Sequence, residues 1–198
     1  MNWLAHLILS EPSPAFRIGN LLPDILPWSQ LRSMPAKYQG GIECHRVIDC
    51  FTDSHPTFRR SVGRIDAPFR RYAGILIDVF YDHFLACSWD RYSPMPLDTF
   101  LGEFYASFSA HREDLPPAAY TRLVQIRAGG WLSSYARTDG VRRALEGIGA
   151  RFRKPVLLGE ATEQLLLHHD ALRADFVDFF PELCSHVEKS RTDGRASP

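Results

Sequence analysis

Residues 70–89 read RRYAGILIDVFYDHFLACSW, and the spacing of their apolar side chains decides the fold. Tyr72, Ile75, Leu76, Val79, Phe80, Phe84 and Leu85 recur at helical spacing with no proline among them. We therefore expect a central helix over Arg70 to Trp89. Asp78 and Asp82 interrupt its apolar run four positions apart, which puts both carboxylates on one face, with His83 about 100 degrees round from Asp82. Burying an unpaired carboxylate is costly, so such groups must meet a cation, an arginine or hydrogen-bond donors.

Working upstream, Ile42, Val47, Ile48 and Phe51 form one helical stripe within Gln39 to Phe51. Gly40 and Gly41 read as its approach and Asp53 and Ser54 as its stop. Ser54 then reads as the cap of a further helix beginning near Pro56. The stretch from Pro12 to Pro35 is rich in Pro, Gly and Ser, so a short N-terminal helix should give way to turns, with one helical turn near Gly19 to Ile25. Downstream, Leu97 to His111 carries a Phe-rich stripe that suits a core-facing helix. Further helices fit Pro117 to Ile126, Trp131 to Tyr135, Gly140 to Phe152, and a long one from Leu158 to Phe179 closed by Pro181.

No alternating strand pattern persists and no repeat is evident. The expectation is an all-α, single-domain helical bundle over residues 1–189, followed by a polar, frayed tail over 190–198. At 198 residues with 45% hydrophobic and 23% charged composition, the chain can bury a core without disulfides. Its 23 Lys and Arg balance 23 Asp and Glu, so net charge gives no reason to expect nucleic acid or a membrane as partner. The oligomeric state is not legible. Cys44, Cys50, Cys87 and Cys184 form no CxxC pair, and the apolar start lacks a basic flank and the length of a span. Reduced thiols and a cytoplasmic location follow as expectations.

Chemistry concentrates in the N-terminal half. His45 and Asp49 repeat the i, i+4 arrangement on a second helix, and two such pairs on facing helices of a bundle suit a divalent cation such as Mn, Mg or Zn. Either pair alone also suits an ion pair or a capped helix end. His6 in WLAHLIL and Asp24 in NLLPDIL are polar residues among apolar neighbours, and each alone equally suits a satisfied core histidine or a cap. Asp24, His45, Asp49, Asp78, Asp82 and His6 are thus the candidate metal ligands. His83, Asp82 and His55 are the candidates for proton transfer. The literal His169-Asp170 dipeptide has no acid four positions from a histidine and reads as part of a packing helix.

Arg59, Arg60, Arg64, Arg70 and Arg71 form the one basic patch, opposed only by Asp66. Guanidinium forks suit phosphate or an acidic protein surface, and a solvated face accounts for them equally well. There is no GxGxxG, P-loop, GxSxG or HExxH, which disfavours dinucleotide enzymes, nucleotide kinases, serine hydrolases of that fold and zincins.

The strings MNWLAHL, GNLLPD, GIECHRVIDCFTDSHP and RRYAGILIDVFYDHFLA, with weaker echoes in WLSSY and FVDFFPEL, together resemble the acyl carrier protein phosphodiesterases. The likeness is sharpest from His45 to Leu85, and 93–130 matches poorly. Trp3, Cys44 and Pro23 depart from the usual pattern without touching a candidate ligand. The resemblance implies an all-helical fold distantly related to HD-domain phosphohydrolases and a divalent metal, Mn(II) first, with Mg, Fe or Zn also suitable. It implies hydrolysis of the phosphodiester joining 4′-phosphopantetheine to a serine of acyl carrier protein, which would be the macromolecular partner. Rival readings are a phosphohydrolase acting on nucleotides or another small phosphodiester, and a non-catalytic helical module that binds an acidic partner.

Overall fold

The computed structural model of the chain describes residues 1–195, with side chains through Asp193. Among the described residues it is all-α, with short 3-10 turns and no strand. In chain order the helices are α1 (Trp3–Ile8), α2 (Pro14–Leu21), α3 (Trp28–Leu31), α4 (Ala36–Ser54), α5 (Pro56–Gly63), α6 (Ala73–Cys87), α7 (Leu97–Ala106), α8 (Pro117–Gly129), α9 (Trp131–Ser134), α10 (Thr138–Gly149), α11 (Thr162–Leu167) and α12 (His169–Arg195). No helix among the described residues is long and apolar enough to cross a membrane.

Helix α6 is the axis of the molecule. Leu76, Ile77, Val79, Phe80, Tyr81, Phe84 and Leu85 are all buried, so it is apolar nearly all round, and α1, α5, α10 and α12 pack against it. Its regular part is shorter than expected from Arg70 to Trp89, because both ends tighten into 3-10 turns at Arg70–Tyr72 and Trp89–Arg91.

Gly40 and Gly41 lie inside α4 rather than before it. The reason is the crossing with α2. A Cβ on Gly41 would strike the Phe16 carbonyl oxygen and come within 2.6 Å of the Asn20 amide nitrogen, and one on Gly19 would strike the Tyr38 carbonyl. Glycine on both helices lets their backbones touch, and that contact carries Asn20 up to α4. Pro14 stands at the first position of α2, where a missing N–H costs nothing.

The cap between α4 and α5 is also shifted by one residue. Ser54 ends α4, while His55 caps α5 by accepting the Thr57 amide at Nδ1 (3.2 Å), which leaves Pro56 at the first helical position. The segment expected as one helix from Leu158 to Phe179 breaks at His168, and Pro181 does not close α12. Proline inside a helix costs about 3 kcal/mol. Pro181 lies on the exposed side, and the helix beyond it buries Leu183 and Val187, each stabilising by roughly 1.5–3 kcal/mol, so continuation wins. The segment from Ser190, expected as a tail, continues α12 through Arg195, and 196–198 lie outside the described residues. The Leu97 to His111 helix divides into α7 and a 3-10 turn at Ser107–His111.

Candidate active site

Helices α1, α2, α4 and α6 bring His6, His45 and Asp49 together, with ligand atoms within 4.8 Å of one another. The two imidazoles stack with centroids 4.2 Å apart and an interplanar angle of 17°. Nε2 of His45 lies 3.0 Å from Asp49 Oδ2, and Nε2 of His6 lies 3.3 Å from Asp49 Oδ1.

Asn20, fully buried on α2, sets both rings. Its side-chain amide donates to the His6 carbonyl and to Ser10 Oγ, which leaves its Oδ1 to accept from His6 Nδ1 at 2.9 Å. Its backbone carbonyl accepts from His45 Nδ1 at 2.7 Å. With both Nδ1 atoms committed to acceptors, the two Nε2 atoms converge on one carboxylate. His6 Nε2 also lies 3.2 Å from the Met1 carbonyl, so acceptor oxygens surround it. Such a surrounding needs a shared proton or a cation. It is also the outer shell that orients histidine for a metal, with the remote nitrogen donating to an oxygen.

Two further carboxylates flank the group. Asp24 accepts from the Trp3 indole N–H at 2.8 Å, and its other oxygen stands 3.9 Å from His45 Nε2. Asp78 pairs with the Met1 α-ammonium at 3.1 Å, and Asp49 is 3.4 Å from the same ammonium. Burial opposes the charge of that ammonium, but Asp78 and Asp49 outweigh it and push its pKa up to about 11. Burial also opposes the charge of Asp49, yet the two histidines and the ammonium hold its carboxyl well below the usual range. The Asp78 carboxyl goes the other way, raised chiefly by burial.

Asp78 and Asp82 do share a face of α6, but Asp82 serves the backbone. Its oxygens accept the amides of Leu4 (2.7 Å) and Ala5 (3.0 Å), which closes the first turn of α1 in a fully buried position. Burial pushes its pKa up to about 7, against the pull of those two amides. In this arrangement Asp82 fixes the helix that carries His6, and its oxygens are not presented to the cluster.

The structure does not bring His83 or His55 into the group. Nδ1 of His83 donates to the Tyr135 carbonyl at 2.7 Å, because its offset from Asp82 around α6 turns it towards the chain after α9. His55 is held by its capping bond and by Glu182, 3.2 Å away. His169 contacts Asp170 at the surface. Of the arginines, Arg60 and Arg64 are tied to Asp175 of α12, at 2.6 Å and 3.0 Å, and Ser61 donates to the same buried carboxylate. Arg59, Arg70 and Arg71 are exposed; the Arg71 guanidinium lies 4.7 Å from the Tyr72 ring, which stacks on Phe152.

A cavity of about 310 Å³ opens beside the cluster. Met1, Trp3, Asp24 and Asp78 line it from the N-terminal half of the chain, and Ile126, Trp131, Leu132, Tyr135, Ile148 and Phe152 from the C-terminal half. Asn2 donates to the Tyr135 hydroxyl at 2.7 Å and so joins the two halves. Sequence reasoning missed Asn20, Tyr135 and this C-terminal lining. A buried-looking amide in GNLLPD is the one local signal, and it names no partner.

Two imidazoles oriented through Nδ1, one shared carboxylate and two flanking ones are a donor set that fits a hard or borderline divalent cation, Mn(II) or Zn(II) included. The fold and the cluster thus define an all-helical protein with a histidine and carboxylate centre at the end of a small-molecule-sized cavity. The model of the family described as acyl carrier protein phosphodiesterase matches residues 1–183, and the chain belongs to that family. A relative named acyl carrier protein phosphodiesterase from Enterobacter sp. (strain 638) is 32% identical over 184 residues, 92% of this chain and 95% of its own. One of the same name from Salmonella agona (strain SL483) is 32% identical over 190 residues, 96% and 98% of the two chains. No solved structure matches.

Proposed function

We propose that this protein hydrolyses the phosphodiester between 4′-phosphopantetheine and the serine of an acyl carrier protein, in the cytoplasm and with a divalent cation, Mn(II) first. The observation that carries the reading is the convergence of His6 and His45 Nε2 on Asp49, both rings fixed by Asn20, beside a cavity that Asp24 and Asp78 line, in a chain of this family. The same helical frame suits the distant relation to HD-domain phosphohydrolases implied by the sequence resemblance.

His6, His45 and Asp49 would hold the ion, with Asp24 and Asp78 beside it. When bound, such an ion supplies Lewis acidity, neutralising charge on the phosphoryl oxygens and lowering the pKa of water. The protein's own residues do the rest. Asn20 keeps both imidazoles aimed, and Asp82 holds α1 in register with α6. Trp3 orients Asp24. Asp78, paired with the Met1 ammonium on the cavity lining, takes the place beside the departing serine oxygen that the sequence suggested for His83 and His55.

An acidic carrier would meet Arg70 and Arg71, whose turn abuts the cavity wall through Tyr72 and Phe152. Arg60 and Arg64 are already engaged by Asp175, and Arg59 donates to the Asp53 carbonyl at 2.9 Å, so the turn at Arg70 and Arg71 is the first choice for the carrier. Incubation with holo-carrier and, in parallel, with a panel of nucleotides and bis-p-nitrophenyl phosphate separates this reading from that of a small-phosphodiester hydrolase. Turnover of the holo-carrier at least comparable to the best small substrate is expected. Rapid nucleotide hydrolysis with the carrier untouched would favour the rival.

A further inference from the structure

The lining of the cavity includes two carboxylates and two arginines. Arg122 of α8 and Arg151, just beyond α10, both line it, as do Asp24 and Asp78. The Arg122 guanidinium lies over the Trp131 ring, 5.2 Å from its centroid, which holds it without using its donors. Arginine ion pairs among the described residues involve Arg46, Arg60, Arg64, Arg137 and Arg143. Arg122 and Arg151 take part in none of these. Ile126, Leu132, Ile148 and Phe152 line the same cavity.

Two like charges facing one cavity without a carboxylate partner repel each other. Burial, and after it the charge of Arg151, lowers the pKa of Arg122. An anion between the two guanidiniums removes that repulsion and satisfies forked donors that suit phosphate oxygens. The volume, about 310 Å³, is that of a small-molecule site, and the apolar stretch suits an uncharged arm attached to the anion.

We propose that Arg122 and Arg151 form an anion clamp for the phosphodiester, holding its non-bridging oxygens in the cavity beside the histidine and carboxylate cluster while the pantetheine arm lies along Ile126, Trp131 and Phe152. The inference rests on the proposed hydrolysis for the identity of the anion. It assigns positioning to a part of the chain, 93–130 and its continuation, that carried no functional expectation.

The test has two arms. In the first, KM and kcat for holo-carrier with Mn(II) are measured for the wild type, Arg122→Gln, Arg122→Lys and Arg151→Gln. Each Gln variant should raise KM about tenfold or more with a smaller change in kcat, and Arg122→Lys should recover part of the loss. In the second, calorimetry compares 4′-phosphopantetheine with pantetheine, which lacks the phosphate. The wild type should prefer the phosphorylated ligand about tenfold or more, and the Gln variants should lose that preference. Arg151 is exposed, so Arg151→Gln carries the result if Arg122→Gln fails to fold. Wild-type KM in folded variants, or an equal affinity of the wild type for both ligands, overturns the clamp. If the wild type leaves holo-carrier intact, the proposed function fails and the calorimetric arm still decides the clamp.

Discussion

Asn20 on α2 touches both histidines of the cluster, accepting from His6 Nδ1 through its side chain and from His45 Nδ1 through its backbone carbonyl. One residue therefore fixes the direction of two ligand atoms that come from separate helices. The close passage of α2 over Gly41 makes this reach possible.

Asn20→Ala removes the acceptor for His6 while leaving the backbone carbonyl that holds His45. Loss of such outer-shell partners typically weakens metal binding about 10- to 100-fold, and that loss is expected in a Mn(II) titration of the variant. An unchanged affinity would show that His6 is not held for a metal.

The pH dependence has a definite sign. Burial works against the charge of His45, but Asp49 and Asp24 outweigh it, and its pKa stands above the ordinary 6.5. The metal-free folded protein thus binds more protons than the unfolded chain between the two values. This contribution to stability is fully present below about pH 6.5 and is lost as the pH rises through the folded value. A metal needs the neutral ring, so Mn(II) affinity should rise over the same interval in which metal-free Tm falls. His45→Gln should flatten both trends. An affinity that is constant across this interval would remove His45 from the ligand set.

Asp82 and α1 are joined by two buried hydrogen bonds from backbone amides. Asp82→Ala should cost about 2 kcal/mol or more, a fall in Tm of roughly 4 °C or more, and Asp82→Asn, which keeps one acceptor oxygen, should cost less. Thermal unfolding with and without Mn(II) checks this. A variant with wild-type Tm but no metal binding would make Asp82 a ligand.

Asp175 collects Arg60, Arg64 and Ser61 beneath α5. Asp175→Ala should lower Tm by roughly 4 °C or more, because Ser61, Arg60 and Arg64 lose the buried carboxylate that is their common acceptor. Replacing Arg60 and Arg64 should therefore act on stability. Arg71→Ala, in an exposed position, should raise KM for holo-carrier at constant Tm. A double Arg60, Arg64 variant with unchanged Tm would contradict the network.

How much of this could be read from the chain depended on the range of each interaction. The apolar period of 70–89 located α6 because burial on all sides leaves a dense local record. The His45 and Asp49 pair was legible because a single helical turn separates them. Asp82 was legible as a buried acid needing donors, but its donors are amides of α1, 77 and 78 residues away, and side-chain spacing carries no trace of them. The placement of His83 was illegible for the same reason, since its offset around α6 aims it at the Tyr135 carbonyl. The role of Arg60 and Arg64 turned on Asp175, more than a hundred residues distant. The glycines of α4 misled because their reason lies in a second helix.

The most direct test of the cluster as a phosphodiester-cleaving centre is the intact mass of purified holo-carrier after incubation with this protein and Mn(II), run beside Asp49→Asn and beside a chelator. The wild type with Mn(II) should convert the holo-carrier to the mass of the apo-carrier, and the variant and the chelated sample should leave it whole. Holo-carrier that stays intact with the wild type, or is stripped equally by Asp49→Asn, would contradict the account.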